Sequence, residues 1–144
     1  MKRTPLRRTG SLKRTTRIRA GAKDARRRKA KLPTNAELDR LARAAVFARD
    51  GHRCLRCHKA PPDVQIQWAH VYSRRFLKVR WLTDGAMTLC AGCHFWWHDR
   101  PLDAAAWFKA LAPERHLTLA MLVNDPGKVD RHAIKAELTG ASQG

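Results

Sequence analysis

Apolar residues at Leu38, Leu41, Ala42, Ala45 and Val46 recur at i, i+3, i+4, i+7 and i+8, the pattern of one helical face. Thr34 and Glu37 precede that face with capping-box spacing, in which each side chain can satisfy a backbone N–H at the helix start. Gly51, just after Asp50, is a natural stop. Together these predict a helix over about residues 35–49, with Leu32-Pro33 as the boundary before it. Past the Pro61-Pro62 turn, Val64, Ile66 and Trp68 alternate with Gln65 and Gln67, which predicts a strand ending near His70. Residues 72–86 read as a polar, Arg-rich loop closing on Asp84-Gly85, and 86–89 as a second short strand. A helix carrying His94 and His98 follows, limited by Pro101. Helical pieces are expected at 103–111, 113–123 and 129–138, with Trp107, Phe108, Leu111, Leu117, Leu119 and Leu122 available for packing. No internal repeat is visible. The pattern predicts a small α+β domain.

The 144-residue length fits one domain plus a tail, and the apolar share of 44% is ordinary for a globular protein. No apolar run approaches the length needed to cross a bilayer. The N-terminus lacks the apolar stretch of a secretory signal, so a cytoplasmic location is expected. Charge divides the chain. Residues 1–32 hold 14 of the 30 Lys and Arg and a single acid, Asp24, a net +13 out of +18. With only Leu6, Leu12, Ile18 and Leu32 as apolar residues of any size, this stretch cannot form a core and reads as a flexible basic arm, disordered when free. Such one-sided density suits a polyanion. Nucleic acid is the favoured partner, with Arg7, Arg8, Arg14, Arg26, Arg27 and Arg28 as candidate phosphate contacts. A membrane surface is disfavoured because no apolar anchor accompanies the charge.

Four cysteines form two matched pairs, Cys54-x2-Cys57 and Cys90-x2-Cys93, separated by 32 residues. Each pair allows a tight turn that aims two thiolates at one ion, and two such turns complete a tetrahedral S4 set that favours zinc. A redox pair, an iron–sulfur cluster and unrelated buried thiols are the competing readings. A redox CxxC normally opens a helix in a thioredoxin-like setting, which two matched knuckles do not resemble. Four thiolates close the coordination shell, so such a zinc is structural.

His94 and His98 are four residues apart on the expected helix, with Cβ atoms about 5–6 Å apart on one face, a spacing that can grip one ion. Alone, they would more simply flank the apolar face made by Phe95, Trp96 and Trp97. The adjoining knuckle and the upstream His70 favour the ion. His52, His58, His116 and His132 read as structural or surface residues, and Trp68 and Trp81 as core or loop anchors.

The run Arg49-Asp50-Gly51-His52-Arg53-Cys54-x2-Cys57, then Ala69-His70-Val71-x-Ser73-Arg74-Arg75, then Leu89-Cys90-x2-Cys93-His94-x3-His98, resembles the HNH nucleases that carry a four-cysteine zinc site. The resemblance covers about residues 45–108, with a further domain portion in C-terminal helices over 103–140. Small phage and prophage members often carry a similar basic arm. The resemblance implies a ββα-metal hairpin-plus-helix core stapled by zinc. It implies a phosphodiester hydrolase acting on DNA, with His70 as general base. It implies that His94 and His98 hold a catalytic Mg²⁺, Mn²⁺ or Ni²⁺, and that Arg74 and Arg75 are placed to clamp phosphate. Two positions depart from the family. Gly85 stands where the central Asn is usual, with Asp84 beside it as a possible substitute. Ala69 stands where many members have a metal ligand. Two other readings remain open on sequence: a non-catalytic zinc-containing nucleic-acid-binding protein with a degenerate site, and a structural protein of a larger assembly tethered by the arm. Phage or host DNA-processing proteins are the partners these readings suggest.

Overall fold

The structure, a computed structural model of the chain, describes residues 31–140. The basic arm expected over 1–32, including Arg7, Arg8, Arg14, Arg26, Arg27 and Arg28, therefore lies outside the described residues except for its last two positions. From Pro33 onward the chain forms one compact unit. It is a small α+β fold built on a two-stranded antiparallel sheet. Among the described residues, no helix is long and apolar enough to cross a membrane.

Helix α1 spans Asn35–Arg49, as its periodicity predicts, and buries Leu38, Ala42 and Val46 along one face. The Thr34 side chain accepts from the Glu37 N–H at 3.2 Å. The Glu37 carboxylate points elsewhere, to Lys135 Nζ at 2.6 Å, so only half of the capping box forms. Gly51 and His52 then take positive φ (63° and 54°), which turns the chain sharply toward Cys54.

Strand β1 (Ile66–His70) pairs with β2 (Ala86–Cys90) in a register that sets Ile66 opposite Cys90 and His70 opposite Ala86. Every residue of β2 is buried. Its outer edge is occupied: the Leu55 N–H donates to the Thr88 carbonyl at 2.9 Å, and the Thr88 N–H donates to Asp50 Oδ2 at 2.7 Å. Helix α3, Ala91–Asp99, starts immediately where β2 ends and packs on both strands.

The expected loop over 72–86 is not wholly irregular. A short helix α2, Leu77–Arg80, and a 3-10 turn, Thr83–Gly85, form within it. The reason is tertiary. Val79 and Trp81 are buried, and Asp39 on α1 accepts from Trp81 Nε1 at 2.7 Å and from Arg80 at 3.0 and 2.7 Å. Two arginines pin the turn. Arg49 donates to the carbonyls of Thr83 and Ala86, and Arg115 to those of Asp84 and Ala86.

Helices α4 (Pro101–Leu111), α5 (Pro113–Val123) and α6 (Arg131–Gly140) complete the unit. Pro101 and Pro113 occupy the first turns, where the missing N–H is harmless, so α4 begins two residues before the expected 103. Helix α6 starts after the expected 129 because Asp130 accepts from the N–H groups of His132 and Ala133. One core cluster joins the sheet to α3, α4 and α5 through Leu89, Trp97, Phe108 and Leu119. A second joins α1 and α6 around Trp81 through Leu38, Ala42 and Leu138.

Gly85 is required where it stands. A Cβ built there falls well inside contact distance of the Val79 carbonyl oxygen. The Gly85 carbonyl also accepts from the Val71 N–H at 3.0 Å, which ties the turn to the end of β1. Gly85→Ala is expected to destabilise the fold by about 1–3 kcal/mol, and Gly85→Asn by more, through overpacking against backbone. Thermal unfolding followed by circular dichroism checks this. An unchanged midpoint for Gly85→Asn would show that the turn can open at no cost.

Candidate metal centre and histidine cleft

The first centre is the cysteine group. The tight turn after Gly51 presents Cys54 and Cys57, and the β2–α3 junction presents Cys90 and Cys93, so the first pair is brought to the second by the sheet edge. The four Sγ atoms lie within 4.8 Å of one another, and Cys57 Sγ is 3.6 Å from Cys90 Sγ. A tetrahedral set with metal–sulfur bonds of about 2.3 Å needs sulfurs about 3.8 Å apart, so the group can hold a metal ion such as zinc. All four cysteines are free thiols. Burial pushes the Cys54 thiol up, but N–H groups of Cys57, Cys90 and Arg56 override it and bring it down to about 7. Cys93 is pushed up to about 12, first by burial, while Arg56 works against the rise. Arg56 Nη1 lies 3.7 Å from Cys93 Sγ, and its guanidinium stacks 3.7 Å above the Trp96 ring. A cation on the thiolates offsets part of the negative charge that four of them bring to one ion.

The second feature is a cleft of about 670 Å³ lined by Trp68, His70, Arg74, His94, His98 and His116 among other residues. Topology explains the convergence. His70 and Cys90 sit at opposite ends of the paired strands. Helix α3 begins at the cysteine end and packs on both strands, and its exposed turns carry His94 and His98 to the cleft.

His70 is held between two influences. Its ring packs on Trp68 with centroids 4.0 Å apart. Burial, then the nearby Arg74 charge, lowers its pKa to about 4, against a smaller opposing hydrogen bond to the Arg80 backbone. Nε2 is buried without a hydrogen-bond partner, so the bond to Arg80 uses Nδ1–H and the Nε2 lone pair is free. At neutral pH the ring is an uncharged base.

His94 Nε2 and His98 Nε2 are 3.1 Å apart. Two neighbouring ligands on one ion, with bonds of about 2.1 Å at a right angle, are about 3.0 Å apart, so the pair fits adjacent positions on a single cation. His94 Nδ1 is 2.6 Å from Gln67 Oε1 on β1. Burial first, then the His98 charge, lowers the His94 pKa and favours the neutral form, the one able to bind a cation. Among the described residues, no Asp or Glu lines the cleft.

The structure thus brings His70, Arg74, His94 and His98 to one cleft. Arg75 is not among its lining residues. It stacks over Phe76 at 4.7 Å and borders a second, shallower groove. Asp84 is also outside the cleft, with its exposed carboxylate 3.6 Å from Arg49 and 3.4 Å from Arg115. His116, read from sequence as structural or surface, lines the cleft instead, with its Nδ1 buried and unpartnered. It lies on α5, outside any motif, and no local signal marks it. Trp81 is a buried anchor as expected, whereas Trp68 is half-buried and borders the cleft.

In comparisons with protein-family models, curated proteins and solved structures, nothing matches this chain.

Proposed function

We propose that this protein is a metal-dependent endonuclease of the HNH type that hydrolyses phosphodiester bonds in DNA. The observation that carries the reading is the meeting of an uncharged His70, whose Nε2 has no hydrogen-bond partner, with the His94–His98 pair in one cleft. The order β1, β2, α3 supports a ββα-metal core, and the cysteine group supports one structural zinc at its base. In this reading the zinc fixes where α3 departs from β2, which aims His94 and His98 toward His70.

His70 Nε2 takes the proton from the attacking water. Arg74 binds a phosphate oxygen at the cleft wall. His94 and His98 would hold a divalent ion, which would supply electrostatic stabilisation of charge on the phosphate and the leaving oxygen. With two imidazoles and no carboxylate among the described residues of the cleft, the pair suits Ni²⁺ better than Mn²⁺ or Mg²⁺. Plasmid nicking with each ion tests the reading directly. Wild-type protein that binds DNA and never cuts it, with any of the three, overturns it.

The second reading, a non-catalytic zinc-containing nucleic-acid-binding protein, is favoured by one observation. The close approach at Gly85 leaves no room for the Asn usual in that family, and Asp84 does not reach the cleft to replace it. The same nicking assay separates the two.

The basic arm supplies DNA affinity in both readings. Deleting residues 1–32 removes a net +13. The expected result is weaker binding and a flatter salt dependence, by about 0.9 in log–log slope per lost phosphate contact on duplex DNA. Titrations between 50 and 200 mM salt, about the range in which such slopes are measured, check this. An unchanged slope means that the arm does not touch the backbone.

A further inference from the structure

We infer that Gln67 is a positioning residue: it holds His94 in the Nδ1–H tautomer and so presents Nε2 to a divalent cation shared with His98. The inference rests on the ion site proposed above. An amide oxygen carries no proton, so the hydrogen in the 2.6 Å contact between Gln67 Oε1 and His94 Nδ1 belongs to the histidine. A neutral imidazole with its proton on Nδ1 has its lone pair on Nε2. That lone pair faces His98 Nε2 at 3.1 Å, the point where the two rings converge. In the ion-free protein His98 Nε2–H donates to it. A cation takes the place of that proton, and His98 moves its own proton to Nδ1. His98 is exposed, so water can satisfy that nitrogen. His94 is half-buried and needs a built partner. Gln67 is that partner, which explains why only one of the two histidines has one.

The position of Gln67 adds a second consequence. It lies on β1, three residues before His70, so one short strand carries both the base and the residue that orients the ion ligand. Their separation is therefore set by strand geometry rather than by a loop. Ligand histidines usually donate their other N–H to an oxygen in this way, and loss of that partner typically weakens metal binding about 10–100-fold.

The test uses full-length, zinc-loaded protein with Gln67→Leu and Gln67→Glu. Long-range ¹H–¹⁵N correlation of the histidine side chains, recorded without added metal, reads the tautomer. Calorimetric titration with Ni²⁺ reads the affinity, and circular dichroism confirms the fold. In the wild type His94 is expected as the Nδ1–H form. Gln67→Leu should move it toward Nε2–H and weaken Ni²⁺ binding about 10–100-fold. Gln67→Glu should keep the tautomer and bind Ni²⁺ at least as tightly, because a carboxylate is the stronger acceptor. A role in packing alone predicts the opposite order. An unchanged His94 tautomer in Gln67→Leu overturns the inference, and so does unchanged Ni²⁺ affinity. Because the tautomer is read without metal, it decides the role of Gln67 even if the wild type binds no Ni²⁺. That last result would sink the ion site and the nuclease reading instead.

Discussion

His70→Ala is expected to lower DNA cleavage by about 10²–10⁴-fold while leaving DNA affinity nearly unchanged. In the proposed mechanism the ring contributes a proton acceptor and no positive charge at neutral pH, so its loss should remove chemistry rather than binding. Its pKa of about 4 sets the pH behaviour. Cleavage that depends on neutral His70 falls as pH drops through about 4 and does not titrate through this group between pH 6 and 8. The same shift links to stability. The folded form of the ring binds its proton less tightly than the unfolded form, whose ordinary value is 6.5. The stabilisation is therefore fully present above about 6.5 and is lost as pH falls toward 4. Arg74→Ala removes one cause of the depression, so the His70 pKa should rise, and a ¹H–¹³C NMR titration of the ring reads it. A His70→Ala protein that nicks plasmid at the wild-type rate would remove His70 from the mechanism.

Stripping metal from the cysteine group, or replacing Cys90 with serine, is expected to unfold the hairpin and α3. Structural zinc contributes about 10–16 kcal/mol of apparent binding energy in small zinc peptides, whereas whole domains are stable by about 5–15 kcal/mol. The core around Leu89, Trp97 and Phe108 is continuous with Cys54, Cys90 and Cys93, so loss of the ion should reach it directly. The α1–α6 cluster around Trp81 is separate and should retain helix longer. Two of the five tryptophans, Trp96 and Trp97, follow Cys93 on α3, so part of the tryptophan fluorescence should change as that helix unfolds. Elemental analysis should find one zinc per chain. A protein without zinc that melts like the untreated one would refute the structural role. Arg56→Ala gives a milder form of the same test, with faster zinc loss to a chelator.

Much of this is legible in the sequence because it depends on neighbours. The bounds of α1 follow from its apolar spacing and from Thr34 and Gly51, each signal acting on residues within a turn of itself. The cysteine pairs and the His94–His98 pair are local too, since a tight turn or one helical turn aims both members together. What the sequence hides depends on partners far along the chain. The turn at 83–85 looks like loose polar chain, yet Arg49 and Arg115 hold its carbonyls from 34 and 31 residues away. Gln67 looks like the polar half of an alternating strand, and its significance appears only when α3 places His94 against it. His116 has no motif around it and reaches the cleft because α5 packs on the sheet core.

By itself, then, the sequence determined both strands, the longer helices and the two sets of candidate ligands, because short-range periodicity and spacing are properties of nearby residues; the short helix and turn inside 72–86 were not among them. The tertiary structure alone decided which ligands meet. It placed His70 with His94 and His98, left Asp84 and Arg75 outside, and made Gly85 a necessity of backbone contact with Val79. The meeting of the histidines rests on packing between segments more than twenty residues apart, and the Gly85–Val79 approach rests on how α1 and Arg115 fold the intervening turn back on itself; no local pattern encodes either distance.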